Sequence, residues 1–138
     1  MALICVLDDE PVIRFVISEA LRDAGCETRD SASGAEVLQW LSDGMAPSAI
    51  VLDLLMPGMS GREFLERLRA NRDWAHVPVV VVTGATYSND AFPPDGSYQA
   101  LVLKPFDLRD LVQSVLQQLR GTQGGCRGRN ALDASKRS

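Results

Sequence analysis

AIVLDLLMPGMSGRE, residues 49–63, decides the fold. Its first four residues are apolar without alternation, which suits a parallel strand buried on both faces. The run ends on Asp53, passes through Met56-Pro57-Gly58 and reaches Ser60-Gly61-Arg62-Glu63, an S-x-x-E capping box that opens a helix. A buried strand, a carboxylate at its carboxyl end and a helix directly afterwards make up the repeating unit of a doubly wound sheet.

That unit recurs on both sides. Leu3 to Leu7, residues 79–82 and Ala100 to Leu103 are further short apolar runs, and Glu27 to Ser31 is a weaker strand expected at a sheet edge. After the first run, Val12, Ile13, Val16, Ile17, Ala20, Leu21 and Ala24 recur at helical spacing, with Pro11 in the first turn and Gly25 just past the end. Ser33-Gly34-Ala35-Glu36 is a second capping box, and Asp107 caps a last helix with the stripe Leu108, Leu111, Val112, Val115, Leu116 and Leu119. The order predicts an α/β fold: a doubly wound, five-stranded parallel sheet with helices on both faces. Residues 85–99, where a fourth crossover helix would lie, contain Pro93, Pro94 and Gly96. Each proline costs about 3 kcal/mol inside a helix, so a loop is expected there, with at most a short turn.

The 138 residues suit one domain, expected over 1–120, followed by a flexible, basic, Gly-rich tail over 121–138 with Arg127, Arg129, Lys136 and Arg137. A net charge of −4 gives no pull toward nucleic acid or anionic lipid. No stretch approaches the roughly 20 apolar residues of a membrane span. The apolar N-terminus lacks a basic leader and runs straight into Asp8-Asp9-Glu10, so it reads as a strand. Cys5, Cys26 and Cys126 show no CxxC pairing, and the single His76 precedes Val77-Pro78 in a loop, which disfavours a thiolate or histidine metal site. A cytoplasmic protein that touches neither membrane nor nucleic acid directly is expected.

The chemistry gathers at strand ends. Asp8 and Asp9 follow the first strand, Asp53 the third, Thr83 the fourth and Lys104 the fifth. Each alone has an ordinary explanation, since Asp often ends a strand and Thr often starts a turn. In a doubly wound sheet, however, the carboxyl ends of neighbouring strands converge where ligands bind. Gathered carboxylates repel unless a cation compensates. Oxygen-only donors favour a hard ion, Mg2+ with Mn2+ as its substitute. A carboxylate beside such an ion and a fixed ammonium is suited to attack a phosphoryl group, because that transfer rests on positioning and charge neutralisation. Gly84 leaves room for the incoming group.

These blocks carry a resemblance. Asp8-Asp9-Glu10-Pro11, the D-x-x-M-P-G-M-x-G run from Asp53 to Gly61, Thr83-Gly84 and Lys104-Pro105-Phe106 resemble, in order and spacing, the signature blocks of the bacterial two-component response-regulator receiver family. The resemblance spans about residues 1–120. It implies a flavodoxin-like fold and a phosphorylation switch rather than a turnover enzyme. Asp53 is then the phosphoacceptor served by a sensor histidine kinase or histidine phosphotransfer protein. Asp8, Asp9, Asp53 and the backbone carbonyl of Leu55 are then the Mg2+ ligands, with Asp9 more direct than Asp8. Thr83 becomes the switch hydroxyl, Lys104 the phosphate-binding lysine, and Pro105 the proline that usually follows a cis peptide.

Three departures from the family pattern bear on output. The aromatic usually found three positions before the lysine is Leu101 here, with Tyr98 the nearest aromatic. The fourth helix is expected to be missing, and residues 85–99 are expected to change order on phosphorylation. Leu55 and Ala85, two places after Asp53 and Thr83, offer no side chain able to orient a hydrolytic water, which predicts slow self-dephosphorylation. Three alternatives carry different expectations. One is a pseudo-receiver that binds partners without switching, favoured by Leu101 and the lost helix. Another is a receiver cut from a longer hybrid kinase or regulator. The third is a phosphatase or phosphotransferase with an aspartate nucleophile, which the short chain and the placement of the acidic pair disfavour.

Overall fold

The computed structural model describes residues 1–84, 93, 94 and 96–124, the last four of these as backbone only. Five strands align as one parallel sheet: β1 (Leu3–Leu7), β2 (Glu27–Ser31), β3 (Ala49–Asp53), β4 (Val79–Thr83) and β5 (Ala100–Leu103). Their order is β2-β1-β3-β4-β5, so β2 is an edge strand as its polar sequence led one to expect. Chain direction across the sheet reverses between β1 and β3, which makes their carboxyl ends the switch point.

The continuous apolar runs are explained by burial on both sides. Alternate residues of the central strands, Cys5 and Leu7, Ile50 and Leu52, Val79 and Val81, enter one core with α2 (Gly34–Ser42) and α3 (Gly61–Ala70). The intervening Ile4 and Val6, Ala49 and Val51, Val80 and Val82 enter a second with α1 (Pro11–Asp23) and α4 (Leu108–Gly124). Period two thus divides an unbroken hydrophobic run into two buried faces. Cys5 is fully buried and its thiol is pushed up to about 12, chiefly by that burial, so it serves as core.

Local signals act largely as expected. Pro11 stands at the start of α1 and Gly25 follows its end at φ +96°. Ser33 and Ser60 accept from the backbone N–H groups of Glu36 and Glu63 at 3.2 and 3.1 Å. The return arm of the first box passes through a third residue: the Ser33 N–H donates to Ser31 Oγ at 2.9 Å, and that hydroxyl donates to the Glu36 carboxylate. Asp107 Oδ1 accepts from the Arg109 N–H at 2.8 Å at the start of α4, whose expected stripe packs into the second core.

One boundary moves. α4 continues to Gly124, four residues into the stretch expected as tail, because Gly121 costs only about 1 kcal/mol in a helix already propagating and no proline stops it. The rest of the tail, 125–138, lies outside the described residues. So do 85–92 and 95, including Ala85. Among the described residues of the β4–β5 connection there is no helix: Ser97 donates its N–H to the Pro94 carbonyl at 3.1 Å in a turn with Gly96 at φ +88°. The described helices number four.

Candidate functional site

The sheet register assembles the site. Leu7 pairs with Leu52, so the next residues, Asp8 and Asp53, stand side by side at the switch point. Asp53 pairs with Val82, which places Thr83 one step beyond it, and Thr83 pairs with Leu103. The Lys104 N–H then donates to the Thr83 carbonyl at 3.0 Å. Four strands contribute four neighbouring groups from positions scattered over about a hundred residues.

Lys104 is the hub. Its Nζ lies 3.0 Å from Glu10 Oε1, 3.3 Å from Asp53 Oδ2 and 3.5 Å from Asp8 Oδ2. Asp8 and Asp53 are almost fully buried, whereas Glu10 is exposed. Burial pushes the Asp53 carboxyl above the usual carboxylate range and the Asp8 charge adds to this, while the hydrogen bond from the Leu55 N–H and the Lys104 charge act the other way. For Lys104, burial acts to lower the pKa, but the bond to Glu10 and the charges of Asp53 and Asp8 prevail and hold it above the normal lysine value. The lysine therefore stays an ammonium.

Carboxylate oxygens of Asp8, Glu10 and Asp53 lie within 4.8 Å of one another. Three carboxylates against one ammonium leave two negative charges in a largely buried pocket, a balance that one divalent cation cancels. The all-oxygen donor set fits a hard ion. Asp9, expected as the more direct ligand, is half-buried and does not belong to this trio; Glu10, at the same turn, does. The sequence reading gave Glu10 no role, although the acidic run 8–10 followed by Pro11 was a usable signal: a proline in the first helical turn puts Glu10 at the N-cap position of α1, where its side chain makes no capping hydrogen bond.

The remaining expected residues fall around this pocket. Thr83 is fully buried. A Cβ on Gly84 would meet the Lys104 side chain at 3.4 Å, so glycine keeps the space beside that lysine open. Leu55 is exposed on its side chain and supplies its N–H to Asp53 Oδ1 at 3.1 Å. The Lys104–Pro105 peptide is cis, as the resemblance implied. Leu101 and Tyr98 are half-buried against the core shared with α2 and α3. Two supports were not foreseen. Arg14 donates through Nη1 to the Asp8 carbonyl at 2.8 Å while its Nε pairs with Asp30 at 2.7 Å. Gly61 comes so close to Asp53 that a Cβ there would stand 2.5 Å from the Asp53 carbonyl oxygen.

Fold and pocket together define a doubly wound α/β domain of flavodoxin-like order with an acidic, lysine-bridged site at its switch point. The chain belongs to the response regulator receiver domain family, whose family model matches residues 4–116. It is 33% identical over 114 residues to the DNA-binding transcriptional regulator NtrC of a Bradyrhizobium species, covering 81% of this chain and 23% of that protein. It also resembles the chemotaxis protein CheY4 of Vibrio cholerae, with a TM-score of 0.77, 28% identity and coverage of 86% of this chain and 99% of that one. The signal receiver domain of a histidine kinase from Syntrophus aciditrophicus shares the fold at a TM-score of 0.82 and 24% identity, over 98% of this chain and 100% of that one. The chain spans between about a quarter and a half of the length of the first curated relatives it matches. Among the described residues, no helix is long and apolar enough to cross a membrane.

Proposed function

We propose that this receiver domain is a phosphorylation switch in which Asp53 accepts a phosphoryl group from a sensor histidine kinase or a histidine phosphotransfer protein. The observation that carries the reading is the Lys104 ammonium, 3.3 Å from Asp53 Oδ2 and 3.5 Å from Asp8 Oδ2. An oxygen of Asp53 attacks phosphorus, a P–O bond forms as the P–N bond to the donor histidine breaks, and Lys104 binds the phosphoryl oxygens. The Thr83 hydroxyl donates to another of those oxygens, and Gly84 gives the group its space. Asp8, Asp9, Asp53 and the Leu55 carbonyl would hold Mg2+, or Mn2+ in its place. When bound, the ion offsets the charge of the carboxylates and of the phosphoryl oxygens.

In this reading the chain catalyses only its own phosphorylation and dephosphorylation, acts in a bacterial cytoplasm and signals by protein contact. Relatives named as DNA-binding regulators are longer than the matched receiver region, and the net charge of −4 does not favour direct contact with nucleic acid here. Loss of phosphate is slow, since the apolar Leu55 and Ala85 cannot orient water, and residues 85–99 change order on phosphorylation.

The test is intact-protein mass after incubation with acetyl phosphate and Mg2+, on the wild type and on Asp53→Asn. A Mg2+-dependent gain of one phosphate that vanishes in the variant supports the switch. No gain in a folded, metal-binding protein favours the pseudo-receiver, and repeated turnover of small phosphate esters favours a phosphatase.

A further inference from the structure

Glu10 occupies the N-cap of α1, a position that Ser, Thr, Asp and Asn normally fill because their short side chains accept from the helix's first N–H groups. Its side chain makes no capping hydrogen bond. It reaches across the site instead, and at 3.0 Å it is the nearest of the three carboxylates to Lys104 Nζ. Its backbone N–H donates to Asp8 Oδ1 at 2.9 Å, so the main chain is pinned while the side chain projects. The three carboxylates differ in freedom. Asp8 and Asp53 are 2% and 4% exposed and cannot move far, whereas the Glu10 side chain is 58% exposed. A helix cap forgone at a site is the kind of local rule broken for function.

We propose that Glu10 is a positioning residue that stands in for the phosphoryl group: its carboxylate holds the Lys104 ammonium in the unphosphorylated state and gives it up to the phosphoryl oxygens when Asp53 is modified. This rests on the phosphoacceptor reading above. The chemistry requires little of the fold, because one exposed, flexible carboxylate is exchanged for a stronger anion at the same ammonium. In the resting state Glu10 keeps Lys104 from collapsing wholly onto Asp53. It also adds one negative charge at the mouth of the site, which disfavours an anionic donor.

The test uses the full chain with Glu10→Gln, which keeps the shape and removes the charge, and Glu10→Asp, which keeps the charge and improves the cap but shortens the reach. The sequence holds two lysines, Lys104 and Lys136, so acylation by a water-soluble ester can be read at Lys104 by peptide mass, with Lys136 as internal standard. Lys104 should be acylated about two- to fivefold faster in both variants, the range open to an ion pair with one exposed partner. Phosphorylation by subsaturating acetyl phosphate should rise by a similar factor in Glu10→Gln, at an unchanged Mg2+ midpoint. A Mg2+ midpoint raised about tenfold or more in Glu10→Gln, with slower phosphorylation, would make Glu10 a metal ligand and overturn the inference. Phosphate gained by the wild type together with unchanged Lys104 labelling in the variants rejects the inference alone. No phosphate on the wild type rejects the phosphoacceptor reading, and the inference with it.

Discussion

The ammonium of Lys104 lies 3.3 Å from Oδ2 of Asp53, across 51 positions of the chain, and both groups are mostly withdrawn from water. The pair is not an isolated salt bridge, since Asp8 and Glu10 share the same ammonium. Its state is therefore set by too much negative charge rather than too little.

The first consequence concerns pH. Burial and Asp8 raise the Asp53 pKa above the usual carboxylate value, so the folded protein binds the Asp53 proton more tightly than the unfolded chain does. The associated stability is fully present below the unfolded pKa and is lost as pH rises through the higher folded value. Without divalent ions, the melting temperature of the wild type should fall relative to Asp53→Asn as pH rises above the ordinary aspartate pKa of about 4. A difference between the two proteins that stays flat with pH, or grows in favour of the wild type, would contradict this.

Divalent metal should reverse that deficit. Mg2+ at about a hundred times its dissociation constant should stabilise the wild type by about 2.7 kcal/mol, and a chelator should remove the gain. Asp53→Asn, with one carboxylate fewer, should gain distinctly less. Thermal melts with and without chelator read both effects.

Gly61 controls the backbone that carries Asp53. A methyl group there would sit 2.5 Å from the Asp53 carbonyl oxygen and 2.6 Å from Leu54 Cα, both main-chain atoms that cannot swing aside. Gly61→Ala should destabilise the fold by about 1–3 kcal/mol and slow Asp53 phosphorylation. Urea unfolding and the mass assay give the two readouts.

Arg69 staples the β4–β5 connection to α3. Its Nε donates to the Ser97 carbonyl at 2.8 Å, Nη1 to the Val77 and Ala75 carbonyls at 2.7 and 3.0 Å, and Nη2 to Gln99 Oε1 at 2.9 Å. Arg69→Met keeps the aliphatic stem and removes the donors, and should cost about 2–3 kcal/mol in urea unfolding. Proteolysis should also cut near Ser97 sooner than in the wild type.

Ser18 is the reverse case. It is 2% exposed on α1, and its hydroxyl has no hydrogen-bond partner among the described residues. Ser18→Ala should leave stability unchanged or raise it by up to about 1 kcal/mol, and a larger loss would mean that the hydroxyl is satisfied in solution.

Much of this protein was determined by sequence alone, because the governing interactions are local or periodic. The apolar runs at β1, β3 and β4 announced strands buried on both faces, whereas the run at β5 proved to be an edge strand with Leu103 exposed; Pro11, Ser33, Ser60 and Asp107 marked where helices begin, and parallel order then brought Asp8, Asp53, Thr83 and Lys104 together at one edge. Tertiary structure decided which side chains meet there. Asp9 and Glu10 are adjacent in sequence and alike in charge, yet only Glu10 joins Asp8 and Asp53, since direction at the end of a strand depends on the backbone turn and on where Lys104 waits. The same holds for the nearness of Gly61 to Asp53, for Ser31 completing the cap at Ser33, and for the reach of Arg69 to Gln99. The geometry of each exists only once the strand ends and the helices that follow have been fixed in space.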